Sequence, residues 1–419
     1  MGNETNLSCN ITHLTREQIM HFQNYKWWVE TIGNLCCGAI GIFLNSITIH
    51  VFSSPSLRKN FFNRLLICLA IFDTLYISCE LSVVFRHRHN TFLQQSIFVN
   101  FVYPIRNVFM FSSIYMTLVL AFERIQAITD PMKFRIRGVR TSMNQELCTH
   151  VLPGVIFAVI YYLPKFFELE VGIIRKQCNN FDNITSVSIN GTAEEAINMG
   201  ATGICTSKYI VVPTNLRRNH VYVFWYIIVS NLTLTALIPL CVLTFLNGKI
   251  IMSLKKLSEN RQSLRANNSP SNSNSPITKN NCWPSHLATD VKKTFILFSI
   301  VVLFAVCHSL RVALNIDEFI FRMKQITYKE SCRYPRIWTK YVGPFNQLFI
   351  ILNSSLNFFI YALFDPGFQQ VLRERLKMNF NEKDTKNLNG ERSRLTPNRN
   401  IIANNAIELS NLNEKRDHV

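Results

Sequence analysis

The chain has 419 residues, 48% of them hydrophobic, and 44 Lys and Arg against 26 Asp and Glu give it a formal charge of +18. A soluble protein of this length would disperse its apolar residues through two or three domains, whereas here they gather into long runs separated by short basic stretches. That distribution argues against nucleic-acid binding and for basic loops meeting anionic lipid, and no hydrolase or metalloprotease motif suggests an enzyme.

Residues 1–27 are polar and hold sequons at Asn3, Asn6 and Asn10, so they read as a glycosylated outer segment without a cleavable signal peptide. A bilayer core about 30 Å thick takes roughly 20 apolar residues of helix. Seven runs meet that requirement: Trp28–Phe52, Phe62–Phe85, Ile97–Ile128, Leu147–Phe167, Val221–Asn247, Thr294–Ile316 and Tyr341–Phe364. Because backbone groups in lipid must be satisfied within their own segment, an all-α membrane protein follows, a seven-transmembrane helix bundle over 28–364.

Basic residues cluster at Arg58, Lys59 and Arg64, at Lys133, Arg135, Arg137 and Arg140, at Lys255, Lys256, Lys292 and Lys293, and at Arg373, Arg375 and Lys377. These positions share one side, which places them in the cytoplasm and the N-terminus outside, although Arg322, Lys324, Arg333 and Arg336 add charge to an outer loop. Sequons at Asn183 and Asn190, between spans four and five, fall on the outer side too. Residues 261–281 are too polar to repay ordering and read as a disordered cytoplasmic loop, as does the tail 380–419. Between the seventh span and that tail, 365–379 has Phe368, Val371, Leu372 and Leu376 on one face, which suits an amphipathic eighth helix on the inner membrane surface. Of twelve cysteines, Cys9, Cys178, Cys205 and Cys332 face the oxidising side, an even number that allows three pairings.

Polar groups inside the membrane are costly and are candidates for function. Asn45 lies in span one, Asp73 and Glu80 in span two, and Arg106, Ser113 and Glu123-Arg124-Ile125 in span three, with Pro131 and Met132 following. In span seven Asn353, Asn357 and Tyr361 recur every four residues along one stripe. A lone carboxylate in a bilayer neutralises or seeks a cation, so Asp73 with Ser113, Asn353 and Asn357, braced by Asn45, reads as a hydrated sodium site; no other cofactor or metal is expected.

At these residues the chain resembles the rhodopsin-like (class A) G-protein-coupled receptors, whose spans carry an Asn, an LAxxD, a D/E-R-Y with a later Pro, and an NPxxY. Through VYPI (Val102–Ile105), LPKFFE (Leu163–Glu168), LNIDE (Leu314–Glu318) and NSSLNFFIYALF it is most similar to invertebrate FMRFamide-type neuropeptide receptors. The resemblance implies a multi-pass plasma-membrane receptor for an extracellular amidated peptide, with a heterotrimeric G protein and arrestin as partners. It assigns Glu123, Arg124, Ile125, Pro131 and Met132 to G-protein coupling, and Tyr361 with Asp73 and Asn357 to the switch. An Arg-Phe-amide ligand would meet the acids Glu80, Glu168, Asp317 and Glu318, with Arg106 beside Glu80 and with Phe109 and Trp338 against its terminal ring.

The chain also departs from the pattern. Ile125 replaces the Tyr of D/E-R-Y, Phe358 the Pro of NPxxY, and Cys307-His308-Ser309-Leu310-Arg311 stands where CWxP would lie. Pro239 is kept in span five, but the Tyr expected after it is Asn247. The family's outer cysteine of span three falls on Val99, so the second outer loop is expected to close on itself through Cys178 and Cys205, leaving Cys9 for Cys332. Arg106 stands where amine receptors carry an Asp, and Phe349-Ile350-Ile351-Leu352 where opsins carry the retinal lysine, which excludes both ligand classes. A receptor that binds without signalling and a seven-span transporter share the same hydropathy plan; the chain shows no internal repeat of the transporter kind.

Overall fold

The computed structural model describes residues 16–86, 91–129, 142–178, 184–189, 204–267, 285–328 and 337–377. Among them seven helices are long and apolar enough to cross a membrane: α1 (Met20–Phe52), α2 (Phe61–Val84), α3 (Phe92–Thr129), α4 (Asn144–Phe167), α5 (His220–Ser253), α6 (Thr294–Phe321) and α7 (Trp338–Phe364). Large apolar side chains such as Leu152, Ile160, Phe245 and Leu363 stay more than half exposed, as a bilayer-facing surface requires. The sequons, Cys9, Cys332, Pro131 and Met132 lie outside the described residues.

Helix formation begins earlier than hydropathy alone suggests, at Arg16, and the first span starts at Met20 and not at Trp28. The cause is tertiary: Phe22 packs edge to face and Tyr25 at a tilt against Tyr341 of α7, and the Tyr25 hydroxyl donates to the Tyr341 carbonyl. Deeper in the bundle Gly41 lets α1 and α7 approach, since a Cβ there would overlap the Ser355 hydroxyl. Gly154 does the same for α4 against the Tyr115 ring of α3. Small residues at such crossings replace the hydrophobic drive that lipid removes.

Four segments adopt π-helical turns: Trp27–Gly33 in α1, Phe98–Val102 in α3, and Val223–Ser230 and Thr233–Leu237 in α5. By contrast α6 belongs to one uninterrupted α-helix, Ser285–Tyr328, about 66 Å long at 1.5 Å per residue. With Leu310 in place of the family's proline, every backbone N–H in that stretch can enter the helical ladder. The helix containing α5 continues to Asn267, so the first part of the tract expected to be unpacked is helical.

Strands that hydropathy did not suggest lie between α4 and α5. A three-stranded antiparallel sheet has the order β2-β1-β3, with β1 Leu169–Cys178, β2 Ile184–Ile189 and β3 Ile204–Pro213. Gln177 pairs with Ile204 and Lys176 with Thr206, so Cys205 falls in a bulge beside the end of β1 that carries Cys178. Phe92 of α3 meets Tyr209 of β3 edge to face at 5.7 Å. A second compact unit follows Asp365, and its residues 366–377 form a helix with Phe368 and Val371 buried, Arg373 and Glu374 exposed, and Leu376 also exposed.

Candidate functional site

Helix α3 carries the charged interior. Arg106 and Arg124 lie 18 residues apart on it, about 27 Å of helix, with Ser113 between them. On the half of the bundle that carries the N-terminus, Arg106 Nη1 pairs with Glu80 Oε1 at 3.2 Å, and Glu80 is buried. One turn inward on α2, the Tyr76 hydroxyl accepts from Gln347 Nε2 of α7 at 2.9 Å. Phe109 is half-buried on α3, and Trp338 is exposed at the start of α7.

At mid-bundle the Asp73 carboxylate is fully buried and held from two helices, α3 and α7. Ser113 Oγ donates to Oδ1 at 2.6 Å, Asn357 Nδ2 donates to Oδ2 at 3.0 Å, and Ser354 adds a third side chain. Asn353, expected in this cluster, is not among these partners: α7 is rotated so that the residue three before Asn357, not four, faces α2. Asn45 braces the site from α1 by donating to the Ser354 carbonyl at 2.9 Å. The carboxylate and two hydroxyls form a hard oxygen donor set of the kind that suits sodium. Tyr361, one turn further along α7, is buried edge to face on Phe52 at 5.3 Å.

At the opposite end Arg124 is buried, its Nε 3.1 Å from Glu123 Oε2 and its guanidinium 4.1 Å above the Phe62 ring. A guanidinium held by an acid and a ring face is a displaceable arrangement, because its planar fork can take other acceptors once either partner moves. Ile125 is half-buried beside it.

Glu168 does something other than wait for a ligand. It is fully buried at the end of α4, with Lys165 Nζ 3.0 Å from Oε1 and Arg217 Nη1 2.7 Å from Oε2. The Tyr103 and Tyr222 hydroxyls donate to it at 2.7 and 2.8 Å. Burial pushes the Glu168 carboxyl up, but Lys165, Arg217 and the two phenols outweigh burial and hold it below the ordinary carboxylate range. The residue is a clasp between α3, α4 and α5. Glu318, by contrast, lines a cavity of about 450 Å³ at the N-terminal end of α5 and the C-terminal end of α6, with Arg217, Arg218 and His220 opposite; Asp317 precedes it on α6, half-buried.

Two side chains of α6 escaped assignment from sequence. His308, in the place of the family's tryptophan, is buried and stacked on Phe304 at 4.2 Å. Arg311 is buried one turn further, donating to Met110 Sδ at 2.9 Å and to Asn231 Oδ1 at 3.2 Å. An arginine inside an apolar span is a signal in itself, and Arg311 could have been singled out on that ground.

Three relatives are similar over most of the chain. The FMRFamide peptide receptor frpr-18 of Caenorhabditis elegans is 24% identical over 341 residues, 80% of this chain and 66% of its own length. The FMRFamide receptor of Drosophila melanogaster is 24% identical over 361 residues, 83% of this chain and 53% of its own. The probable G-protein coupled receptor frpr-1 of Caenorhabditis elegans is 21% identical over 389 residues, 88% and 84%. The chain thus spans just under two thirds of the first relative and about half of the second. The family model for the serpentine type 7TM GPCR chemoreceptor Srw matches residues 33–379, from within the first span to beyond the seventh. A match of that extent takes in the charged interior from Asp73 to Asn357, and the chain belongs to the Srw family of serpentine 7TM GPCR chemoreceptors.

Proposed function

We propose that the chain is a plasma-membrane receptor with its N-terminus outside, which binds an extracellular peptide of the amidated FMRFamide kind and signals through a heterotrimeric G protein. The observation that carries this is the disposition of charge on α3: a half-buried Arg106 paired with a buried Glu80 near the outer end, and a buried Arg124–Glu123 pair at the inner end of one helix. A ligand that exchanges partners at the first pair, and a G protein that exchanges partners at the second, bias one equilibrium between two packings. Similarity to two FMRFamide receptors supports a peptide as the outer ligand. Sodium at Asp73, Ser113 and Ser354 would stabilise the resting packing, and an arrestin would compete for the inner face. In this reading Glu80 would take a peptide guanidinium, displacing Arg106, with Phe109 one turn inward. The Cys178–Cys205 bridge would then staple the sheet over this entrance.

Agonist-driven nucleotide exchange on a co-expressed G protein, screened against a panel of amidated peptides, tests the reading. Exchange stimulated by one of them at submicromolar concentration is expected. Specific binding without exchange would leave a ligand-binding protein that does not signal, and transport of a solute by the reconstituted chain would place it in another class.

A further inference from the structure

The outer half of the bundle holds two arginines, of which only Arg106 has an acid beside it among the described residues. Glu80 pairs with Arg106 at 3.2 Å, whereas Arg311, more than nine-tenths buried, meets only the neutral acceptors Met110 Sδ and Asn231 Oδ1. No carboxylate among the described residues contacts it; Asp73 is deeper and is engaged by Ser113 and Asn357. Around it stand the phenols of Tyr76, Tyr161 and Tyr162. The Tyr162 hydroxyl and His308 Nδ1 are both buried without a hydrogen-bond partner. A guanidinium is always charged and offers five donors, and a buried cation left with neutral acceptors is stabilised most by an anion that enters beside it.

We propose that Arg311 is an anion subsite in the outer half of the bundle, taking a carboxylate that the ligand carries as an acidic side chain, with the Tyr162 hydroxyl as an added donor. Met110 and Asn231 hold the guanidinium facing inward from α3 and α5, so the carboxylate would tie α6 to both helices. The proposal deepens the peptide-receptor reading and rests on it for the ligand's identity. It also gives the proline-free α6 a handle that the ligand can pull directly.

The test uses purified full-length receptor in lipid nanodiscs and a matched pair of probes, 3-phenylpropionate and 3-phenylpropionamide, alike in shape and different in charge. The carboxylate is expected to raise the melting temperature of wild type and of Arg311→Lys by several degrees at millimolar concentration, with the amide giving at most a small fraction of that shift. Arg311→Gln, or the neutral and similarly long Arg311→Met, is expected to lose the difference between the probes. Equal shifts from both probes on wild type, or a carboxylate shift that survives in Arg311→Gln, would overturn the proposal. Chloride titrated into sulfate buffer gives the remaining arm: a shift from chloride equal to that from the carboxylate would make the occupant a solvent ion and also overturn it. Neither agonist nor G protein is needed, so a receptor that no amidated peptide activates still reports on Arg311.

Discussion

Glu168→Gln keeps the shape of the clasp and removes its charge. In the parent, Lys165 is 10% exposed at the side chain and Glu168 is fully buried, so their pair at 3.0 Å is shielded from water. Breaking a buried pair from one side costs about 3–5 kcal/mol, because it leaves the other charge uncompensated. Arg217 is 33% exposed at the side chain, and its pair with Glu168 is screened enough to add no more than about 1 kcal/mol. Glutamine retains an acceptor for one of the two phenols, which offsets about 1 kcal/mol. The expected loss is therefore about 2–5 kcal/mol, read as lowered thermal stability of purified receptor and reduced surface expression. Adding Lys165→Met to Glu168→Gln removes the stranded charge and is expected to restore more than half of that loss. A Glu168→Gln receptor as stable as the parent, or a double variant no better than the single one, would refute the clasp. The sign with pH follows from the depressed carboxyl: its stabilisation is fully present above the unfolded carboxyl value of about 4.3 and disappears as pH falls through the lower folded value.

Sodium is expected to lower agonist affinity in the wild type and to leave it unchanged in Asp73→Asn; affinity that ignores sodium in both would remove the ion from the account. Glu80→Gln is expected to weaken an Arg-containing peptide by a hundredfold or more, the equivalent of about 3 kcal/mol, and its Arg→Ala analogue far less. Equal losses would show that Glu80 serves only Arg106. Mass spectrometry of non-reduced receptor is expected to recover Cys178 linked to Cys205, and a Cys178–Cys332 peptide would count against the staple.

Most of the bundle was legible because its signals are one-dimensional. Seven apolar runs and their basic flanks set the helices, and Asp73, Arg124 and Asn357 stood out as polar residues that lipid does not tolerate without partners. What the sequence hid depends on three-dimensional placement. The early start of α1 comes from Tyr25 packing on Tyr341, a contact between residues 316 positions apart. The choice of Ser354 over Asn353 depends on the rotation of α7, which a periodicity of 3.6 leaves open by one residue. Glu168 looked available because its partners Arg217 and Tyr222 lie beyond the intervening loop. The sheet did leave a trace, with Leu169, Val171 and Ile173 alternating in β1 and Ile210, Val211 and Val212 supplying β-branched residues in β3, but the long connection around it masked the pattern.

The central claim is that an outer ligand acts through α3 on Arg124, and nucleotide exchange by Arg124→Ala tests it most directly. At surface expression matched to wild type, the variant is expected to keep its agonist binding and to lose agonist-stimulated exchange on the co-expressed G protein. Full exchange from Arg124→Ala would contradict the account.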